Sequence, residues 1–218
     1  MIDYWNHTFY ESFTSQGLAF IEIHYRLAPE NKFPVPLEDC YSAIHSKEIF
    51  KYSDTNLLSI MGDSAGANLV TAVLLLMKER KSPLFPIIRS KTILYPATFP
   101  KKVLPSHLKY PDWYFLTKSL MEYYRLAYAK GNEDLENEFF NPMISKNLND
   151  FPDMLVILST RDYLFSEGEE FVEVMKNAGN NVKVRVYEAE HGFMLLESDE
   201  SYSALNDVVE FLKEKKQI

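Results

Sequence analysis

The five residues whose types and spacing point most clearly to chemistry are consecutive: Gly62-Asp63-Ser64-Ala65-Gly66. They follow a short apolar run that predicts a strand and precede a longer apolar stretch that predicts a helix. A serine on such a sharp turn projects its hydroxyl above the sheet edge, and flanking glycines leave room for the turn, or nucleophile elbow. The motif therefore predicts Ser64 as a nucleophile, with the Ala65 N–H as donor to an oxyanion. A chance match in an ordinary glycine turn is the alternative.

A serine hydroxyl is a poor nucleophile until a base takes its proton, and that base needs a carboxylate to orient it. His191 follows the last predicted strand, and Asp162 follows the strand before it. Because the carboxyl ends of parallel strands meet at one edge of a sheet, Ser64, Asp162 and His191 are the predicted catalytic triad. As alternatives, Asp162 could be a turn residue or a partner of Arg161, and Glu190 is the second candidate for the carboxylate.

The remaining histidines and the single cysteine have plainer interpretations. His24 ends a predicted strand, His7 and His45 fall in helical patterns, and His107 lies in an insertion, so all four are interpreted as structural. Cys40 has no second thiol or histidine at the spacing of metal ligands, and it is expected to be a buried structural thiol. We therefore predict no metal site and no organic cofactor.

Short apolar runs alternate with helical patterns along the 218 residues. The predicted strands cover residues 18–24, 57–61, 92–95, 154–158 and 182–187. The predicted helices cover residues 36–50, 65–80, 112–130, 167–178 and 202–215, with Gly179 closing the fourth. This alternation is typical of one α/β domain, a mostly parallel sheet with helices on both faces.

An insertion of residues 97–150 separates the third and fourth predicted strands and is longer than a simple crossover requires. Its helical part is dense in aromatic residues: Trp113, Tyr114, Phe115, Tyr123, Tyr124 and Tyr128. These rings could form a cap over the site, or they could pack the helix onto the sheet. Trp113 and Tyr114, together with Phe193 beyond the insertion, are the candidate substrate-pocket residues.

The formal net charge of −8 and the pI near 5.2 oppose nucleic-acid binding and provide no basic patch for anionic lipids. A small uncharged partner fits this composition better. The first residues lack the basic start and apolar run of a secretory signal, and no apolar run reaches the length of a membrane span. We therefore expect a cytoplasmic protein without stable membrane insertion.

Several motifs occur in a definite order along the chain. They are YRLAPE at 25–30, Phe33-Pro34, Glu38-Asp39, GDSAG at 62–66, Asn141-Pro142, an Asp-led segment at 162–168 and HGF at 191–193. With these motifs the chain resembles the hormone-sensitive-lipase-like branch of the α/β-hydrolases. The resemblance implies an α/β-hydrolase fold with a partial helical cap at 97–150, and the triad order Ser64, Asp162, His191 agrees with it.

The resemblance implies a serine carboxylesterase or lipase-like hydrolase that acts on short- to medium-chain or aryl esters through an acyl-enzyme. One alternative is a catalytically deficient ligand-binding protein on a hydrolase scaffold, as the gibberellin receptor of the same family is. Another is a lipase that acts at membranes, which would require an exposed apolar face.

Two departures from the family pattern stand out. Tyr163, Phe165 and Ser166 replace the usual residues after the acidic member of the triad. The family also has an HGGG segment roughly thirty residues before YRLAPE that supplies most of the oxyanion hole, and Tyr25 is too near Met1 to allow one. We therefore expect missing N-terminal strands, one of them between the first two predicted here. Loss of one oxyanion donor typically lowers turnover about 10²–10³-fold. A fragment, a wrongly started gene model and a diverged protein would each account for this.

Overall fold

The protein is built on a four-stranded parallel sheet. The computed structural model describes residues 4–51, 57–110 and 115–215, with only the backbone described for residues 4–7. The strands are β1 (Leu58–Asp63), β2 (Ile88–Leu94), β3 (Asp153–Arg161) and β4 (Val182–Glu190), and they lie side by side in that order. Every neighbouring pair is parallel. The predicted α/β class is confirmed.

Helices connect and cover these strands. They are α1 (Tyr4–Thr14), α2 (Val35–Ile44), α3 (Ala65–Glu79), α4 (Pro105–Lys109), α5 (Lys118–Tyr128), α6 (Phe165–Asn177) and α7 (Asp199–Glu214). The helix predicted over 36–50 ends at Ile44 and is followed by a separate 3₁₀ turn, Lys47–Lys51. Gly179 follows α6 with φ of +86°, a left-handed conformation that suits glycine after a helix. In the described part of the chain, no helix has the length and apolar character that crossing a bilayer demands.

The core consists of two apolar layers, one on each face of the sheet. Along β3, Met154, Val156 and Leu158 point into the layer formed with α2, α3 and α6. Leu155 and Ile157 point into the layer formed with α1 and α7. A strand buried on both faces reads as a continuous apolar run, which is why β3 was easy to recognise. The two layers fix the carboxyl edge of the sheet, where the candidate site lies.

The strand predicted over residues 18–24 is absent, so that prediction was wrong. The segment belongs to no helix or sheet, and Ile21 within it is 46% exposed. A strand requires a neighbour that takes up its N–H and C=O groups, and in the described part of the chain β1 pairs with β2 alone. The segment ends at Arg26, whose guanidinium donates two hydrogen bonds to the Asp39 carboxylate of α2, at 2.9 and 2.6 Å.

The insertion at 97–150 is held to the body of the protein by Lys32, which lies before α2 and binds carbonyls at the end of α5. Lys32 Nζ donates to the carbonyls of Leu126, Ala127 and Ala129 at 3.1, 2.7 and 2.9 Å. These are carbonyls that the end of a helix leaves without intrahelical partners, and a cation there also complements the helix dipole. The insertion therefore has a fixed attachment on the same side as α2.

The described aromatic residues of the insertion differ in burial. Tyr128 stacks on Phe140 with ring centroids 5.0 Å apart, so this ring packs the insertion onto the core. Tyr123 and Tyr124 are 58% and 48% exposed and face solvent. Trp113 and Tyr114 lie outside the described residues.

Candidate active site

Ser64 lies in the tight turn between β1 and α3. Its backbone has φ of +49° and ψ of −114°, a conformation that non-glycine residues seldom adopt. The Ser64 N–H donates to the Leu94 carbonyl at 2.9 Å, and the Ser64 carbonyl accepts from the Ala97 N–H at 3.2 Å. Both partners lie at or just beyond the end of β2, so the neighbouring strand holds the serine above the sheet edge.

The two glycines of the motif have different reasons for lacking a side chain. A Cβ on Gly62 would lie 2.3 Å from the Gly66 carbonyl oxygen, closer than real atoms approach. A Cβ on Gly66 would lie 3.6 Å from Asp63 Oδ1, an ordinary contact. A side chain is therefore sterically excluded at Gly62, as the sequence predicted, but not at Gly66.

The structure brings Ser64, His191 and Asp162 together in one line of hydrogen bonds. His191 Nε2 lies 2.9 Å from Ser64 Oγ, and His191 Nδ1 lies 2.8 Å from Asp162 Oδ2. An ionised carboxylate only accepts, so Nδ1 carries the proton and Nε2 is free to accept from the serine hydroxyl. The three residues follow β1, β4 and β3 respectively, at the same edge of the sheet.

Asp162 is fully buried, and every contact to its carboxylate is a donor. Ser159 Oγ donates to Oδ2 at 2.9 Å, and the Leu164 N–H donates to Oδ1 at 2.8 Å. With the His191 contact this makes three hydrogen bonds, the arrangement that a buried carboxylate needs. Glu190, the second candidate, is exposed, and it is Asp162 that contacts Nδ1.

Ala65 is the first residue of α3, so its N–H has no acceptor one helical turn earlier. That N–H and the positive end of the helix dipole lie beside the serine, where an oxyanion would develop. Burial raises the pKa of the adjacent Asp63 carboxyl above its usual value, and a backbone hydrogen bond partly opposes this rise.

A family model for the α/β-hydrolase fold matches residues 4–195. The chain belongs to the α/β-hydrolase family. It is 31% identical over 181 residues to the vegetative-specific protein H5 of Dictyostelium discoideum, covering 79% of this chain and 54% of that protein. It is 30% identical over 181 residues to an arylesterase of Saccharolobus solfataricus, covering 80% and 57%.

Among solved structures, a fungal esterase of Rhizomucor miehei superposes on this α/β-hydrolase with a TM-score of 0.81 at 26% identity. The match covers 88% of this chain and 62% of the esterase. The chain spans 53–58% of the length of the first curated relatives that it matches.

Tyr95 supports the catalytic histidine candidate of this α/β-hydrolase, and the sequence analysis did not identify it. Its ring meets the His191 ring edge to face, with centroids 4.9 Å apart. Its hydroxyl is buried without a hydrogen-bond partner among the described residues. Burial raises the pKa of Tyr95 well above its usual range, and the nearby Asp63 and Asp162 carboxylates add to this effect.

Phe193, predicted to line the substrate pocket, lies in the core instead. It is 4% exposed, and its ring contacts Tyr95 and Tyr187 with centroid distances of 5.9 and 5.6 Å. The ring turns inward because the 3₁₀ turn Phe193–Leu195 packs against α7, which places Phe193 in the apolar layer on that face. Two exposed apolar residues near the candidate triad of this α/β-hydrolase are Phe115, 69% exposed, and Leu195, 59% exposed.

Phe115 and Leu195 both approach Gly192, next to His191. A Cβ on Gly192 would lie 3.9 Å from a carbon of each side chain. These two apolar residues therefore border the approach to the candidate site, a role that the sequence analysis assigned to Trp113 and Tyr114.

The contacts given for His24, His45 and Cys40 include none with the candidate triad. His45 contacts the Tyr41 carbonyl at 2.8 Å and Ser82 Oγ at 2.7 Å. The side chain of His24 is 84% exposed, and that of His7 is outside the described residues. Cys40 is buried, and burial raises the pKa of its thiol to about 11.

Proposed function

We propose that this α/β-hydrolase is a serine carboxylesterase with Ser64 as nucleophile, His191 as general base and acid, and Asp162 as the residue that orients the histidine. The observation that carries the proposal is the chain of two hydrogen bonds from Ser64 Oγ through His191 to Asp162, at 2.9 and 2.8 Å. The similarity to esterases supports the same reaction class.

In the first half of the reaction, Ser64 Oγ attacks the ester carbonyl carbon while its proton passes to His191 Nε2. The negative charge that develops on the carbonyl oxygen is stabilised by the Ala65 N–H. The carbon–oxygen bond to the alcohol breaks, and the leaving alkoxide takes the proton from Nε2. The product is the free alcohol and an acyl group esterified to Ser64.

In the second half, His191 Nε2 takes a proton from water, and the oxygen of that water attacks the acyl carbon. The bond to Ser64 Oγ breaks, and the proton returns to the serine as the carboxylic acid leaves. Asp162 stays ionised throughout and stabilises the transient imidazolium. All steps are proton transfers and acyl transfers, and the residues named here suffice for them.

The substrate class that we propose is short- to medium-chain or aryl esters. The apolar side chains of Phe115 and Leu195 beside Gly192 suit an uncharged acyl or aryl group. An arylesterase among the relatives supports the aryl alternative. Phosphonylation of Ser64 requires one chemical step, whereas turnover requires two, so we propose to test the acylation step first.

The test is labelling with a fluorophosphonate, which transfers its phosphonyl group to an activated serine with loss of fluoride. We expect the wild-type chain to gain one phosphonyl group on Ser64, and to hydrolyse p-nitrophenyl butyrate with a detectable burst. Ser64→Ala should abolish both, since loss of the serine in a comparable triad costs about 10⁶-fold.

Ser59→Ala is the matched control, because Ser59 lies on β1, five residues before Ser64, and bonds to Ser90 rather than to a histidine. This variant should label at the wild-type rate. Absence of labelling in the wild-type chain, or equal labelling in Ser64→Ala, would refute the assignment. A folded wild-type chain that binds esters without labelling would favour the ligand-binding alternative.

A further inference from the structure

A second histidine–carboxylate pair lies close to Asp162. His107 Nε2 lies 3.0 Å from Glu167 Oε1, and the two side chains are 9% and 3% exposed. Glu167 Oε2 also accepts from the N–H and the hydroxyl of Thr98, at 2.8 and 3.0 Å. Neither member of the pair contacts Ser64 or His191, so the mechanism above leaves it without a role.

The direction of the hydrogen bonds in this pair is fixed. The Leu104 N–H donates to His107 Nδ1 at 3.2 Å, so the ring proton must be on Nε2, from where it donates to Glu167. The Glu167 carboxylate thus receives three donors and faces no acceptor. A line of hydrogen bonds therefore joins Leu104 through His107 and the Glu167 carboxylate to Thr98. Leu104 and Thr98 both belong to the insertion.

The same segment of the insertion is bonded to the turn that carries Asp162. Ser106 Oγ donates to the Tyr163 carbonyl at 2.6 Å, and Ser106 and Ser166 exchange two hydrogen bonds at 3.2 Å. The His107 ring stacks on the Tyr163 ring with centroids 4.4 Å apart and planes 8° from parallel. Tyr163 follows Asp162 directly, so the position of His107 bears on the position of the acidic residue.

We propose that His107 and Glu167 are a positioning pair that fixes the 162–167 turn, and through it holds the Asp162 carboxylate against His191 Nδ1. The inference rests on the proposed function, because it assigns the pair to the same catalytic reaction. The His107 ring stacks on Tyr163, and its neighbour Ser106 donates to the Tyr163 carbonyl. Glu167, in the first turn of α6, fixes the His107 ring through its hydrogen bond to Nε2. Tyr163 and Ser166, which depart from the family pattern, are the residues of the 162–167 turn that contact His107 and Ser106.

Two substitutions separate the functions of the two ring nitrogens. His107→Gln places an amide N–H near the position of Nε2 and keeps the bond to Glu167, whereas His107→Asn keeps an acceptor near Nδ1 and loses that bond. We expect the phosphonylation rate to fall about tenfold or more in His107→Asn, since a displacement of about 1 Å in a catalytic group costs about 10²-fold. The rate in His107→Gln should stay within about threefold of wild type.

His45→Asn is the matched control, because His45 is also part-buried, bonded through both nitrogens and stacked on a tyrosine. Thermal unfolding of each variant measures any general loss of stability. The decisive measurement is the downfield proton NMR resonance of the His191 Nδ1–H···Asp162 hydrogen bond. A role of His107 in stability alone would leave this resonance unchanged. We expect it to shift or broaden in His107→Asn and to remain in His45→Asn.

A folded His107→Asn variant with the wild-type labelling rate and an unchanged resonance would overturn the inference. If this variant does not fold, Ser106→Ala tests the same contact by removing one oxygen atom, and a wild-type rate and resonance there would also overturn it. If the wild-type chain itself does not label, the proposed function fails, and the resonance alone then decides whether His107 positions Asp162.

Discussion

At the scale of single residues, the site depends on two strained positions that follow adjacent strands. Ser64 after β1 has φ of +49°, and Tyr95 after β2 has φ of +34°. Such conformations cost about 1–3 kcal/mol each and persist only where the surroundings determine them. Here the sheet continues beyond the strand ends: the Ser64 N–H donates to Leu94, and the Tyr95 N–H donates to Ile157 at 2.8 Å. The proposed nucleophile and the tyrosine ring beside His191 are thus each held by a backbone hydrogen bond to the neighbouring strand.

The close approach at Gly62 makes a specific prediction. Gly62→Ala should lower stability by about 1–3 kcal/mol and reduce phosphonylation of Ser64 at least tenfold, because the new methyl group would meet backbone atoms of α3. Gly66→Ala is the matched control: it adds an ordinary contact inside a helix, and we expect stability equal to or up to about 1 kcal/mol above wild type. Urea unfolding and the labelling rate measure both variants. Equal effects of the two substitutions would contradict this account.

At the scale of elements, β2 shows where the sequence misleads. The strand begins at Ile88. The prediction began at Thr92, because Lys91 directly before it interrupts the apolar run. The Lys91 side chain is nevertheless fully buried, with Nζ 4.2 Å from the centroid of the Phe151 ring. In the described part of the chain it has no hydrogen-bond acceptor. Burial holds the pKa of Lys91 well below its usual value.

Lys91→Met should therefore stabilise the protein, and the gain should depend on pH. Because the pKa of Lys91 is lowered on folding, the unfolded chain binds more protons between the folded pKa and 10.5, so wild-type stability rises with pH in that window. The slope approaches about 1.4 kcal/mol per pH unit. The advantage of Lys91→Met should be large at pH 7 and small near pH 10. Urea unfolding at both pH values measures this, with Lys176→Met on the exposed face of α6 as control. A gain independent of pH would contradict the prediction.

Other elements show why part of the fold and site could be read from the sequence. An apolar run identifies β3, and alternating valines identify β4. The triad could be proposed because each member follows a predicted strand. The segment at 18–24 has the right local pattern, but pairing depends on a neighbour that local pattern does not report. His107 and Glu167 lie 60 residues apart, and their contact follows from the path of the insertion. No periodicity in either segment indicates it.

At the scale of the whole molecule, the candidate site is assembled from distant parts of the chain. Ser64 and His191 are 127 residues apart, and the 104–110 segment reaches the Asp162 turn from within the insertion. Exposed apolar side chains at Phe115 and Leu195 border the approach to His191. The two hydrogen bonds of the candidate triad join residues that follow β1, β3 and β4. Displacement of the end of any of these strands would therefore separate the proposed catalytic groups.

β1, the strand directly before Ser64, has one neighbouring strand among the described residues. We expect deuterium exchange to detect its lower protection. Amides of β1 that do not donate to β2 should exchange with solvent much faster than those of β3, which has a neighbour on each side. Mass spectrometry of peptides from the two strands measures the difference, and amides of α3 provide a protected internal reference. Equal protection of β1 and β3 would show that the free side of β1 is covered in solution.

A strand with one neighbour also sets the order in which the protein fails on heating. Local opening of β1 needs fewer broken contacts than global unfolding, and it displaces the turn at Ser64 directly. Reactivity toward the probe should therefore decline several degrees before the helical signal does. Asp63, the last residue of this edge strand, is bonded directly to Ser64, the proposed nucleophile.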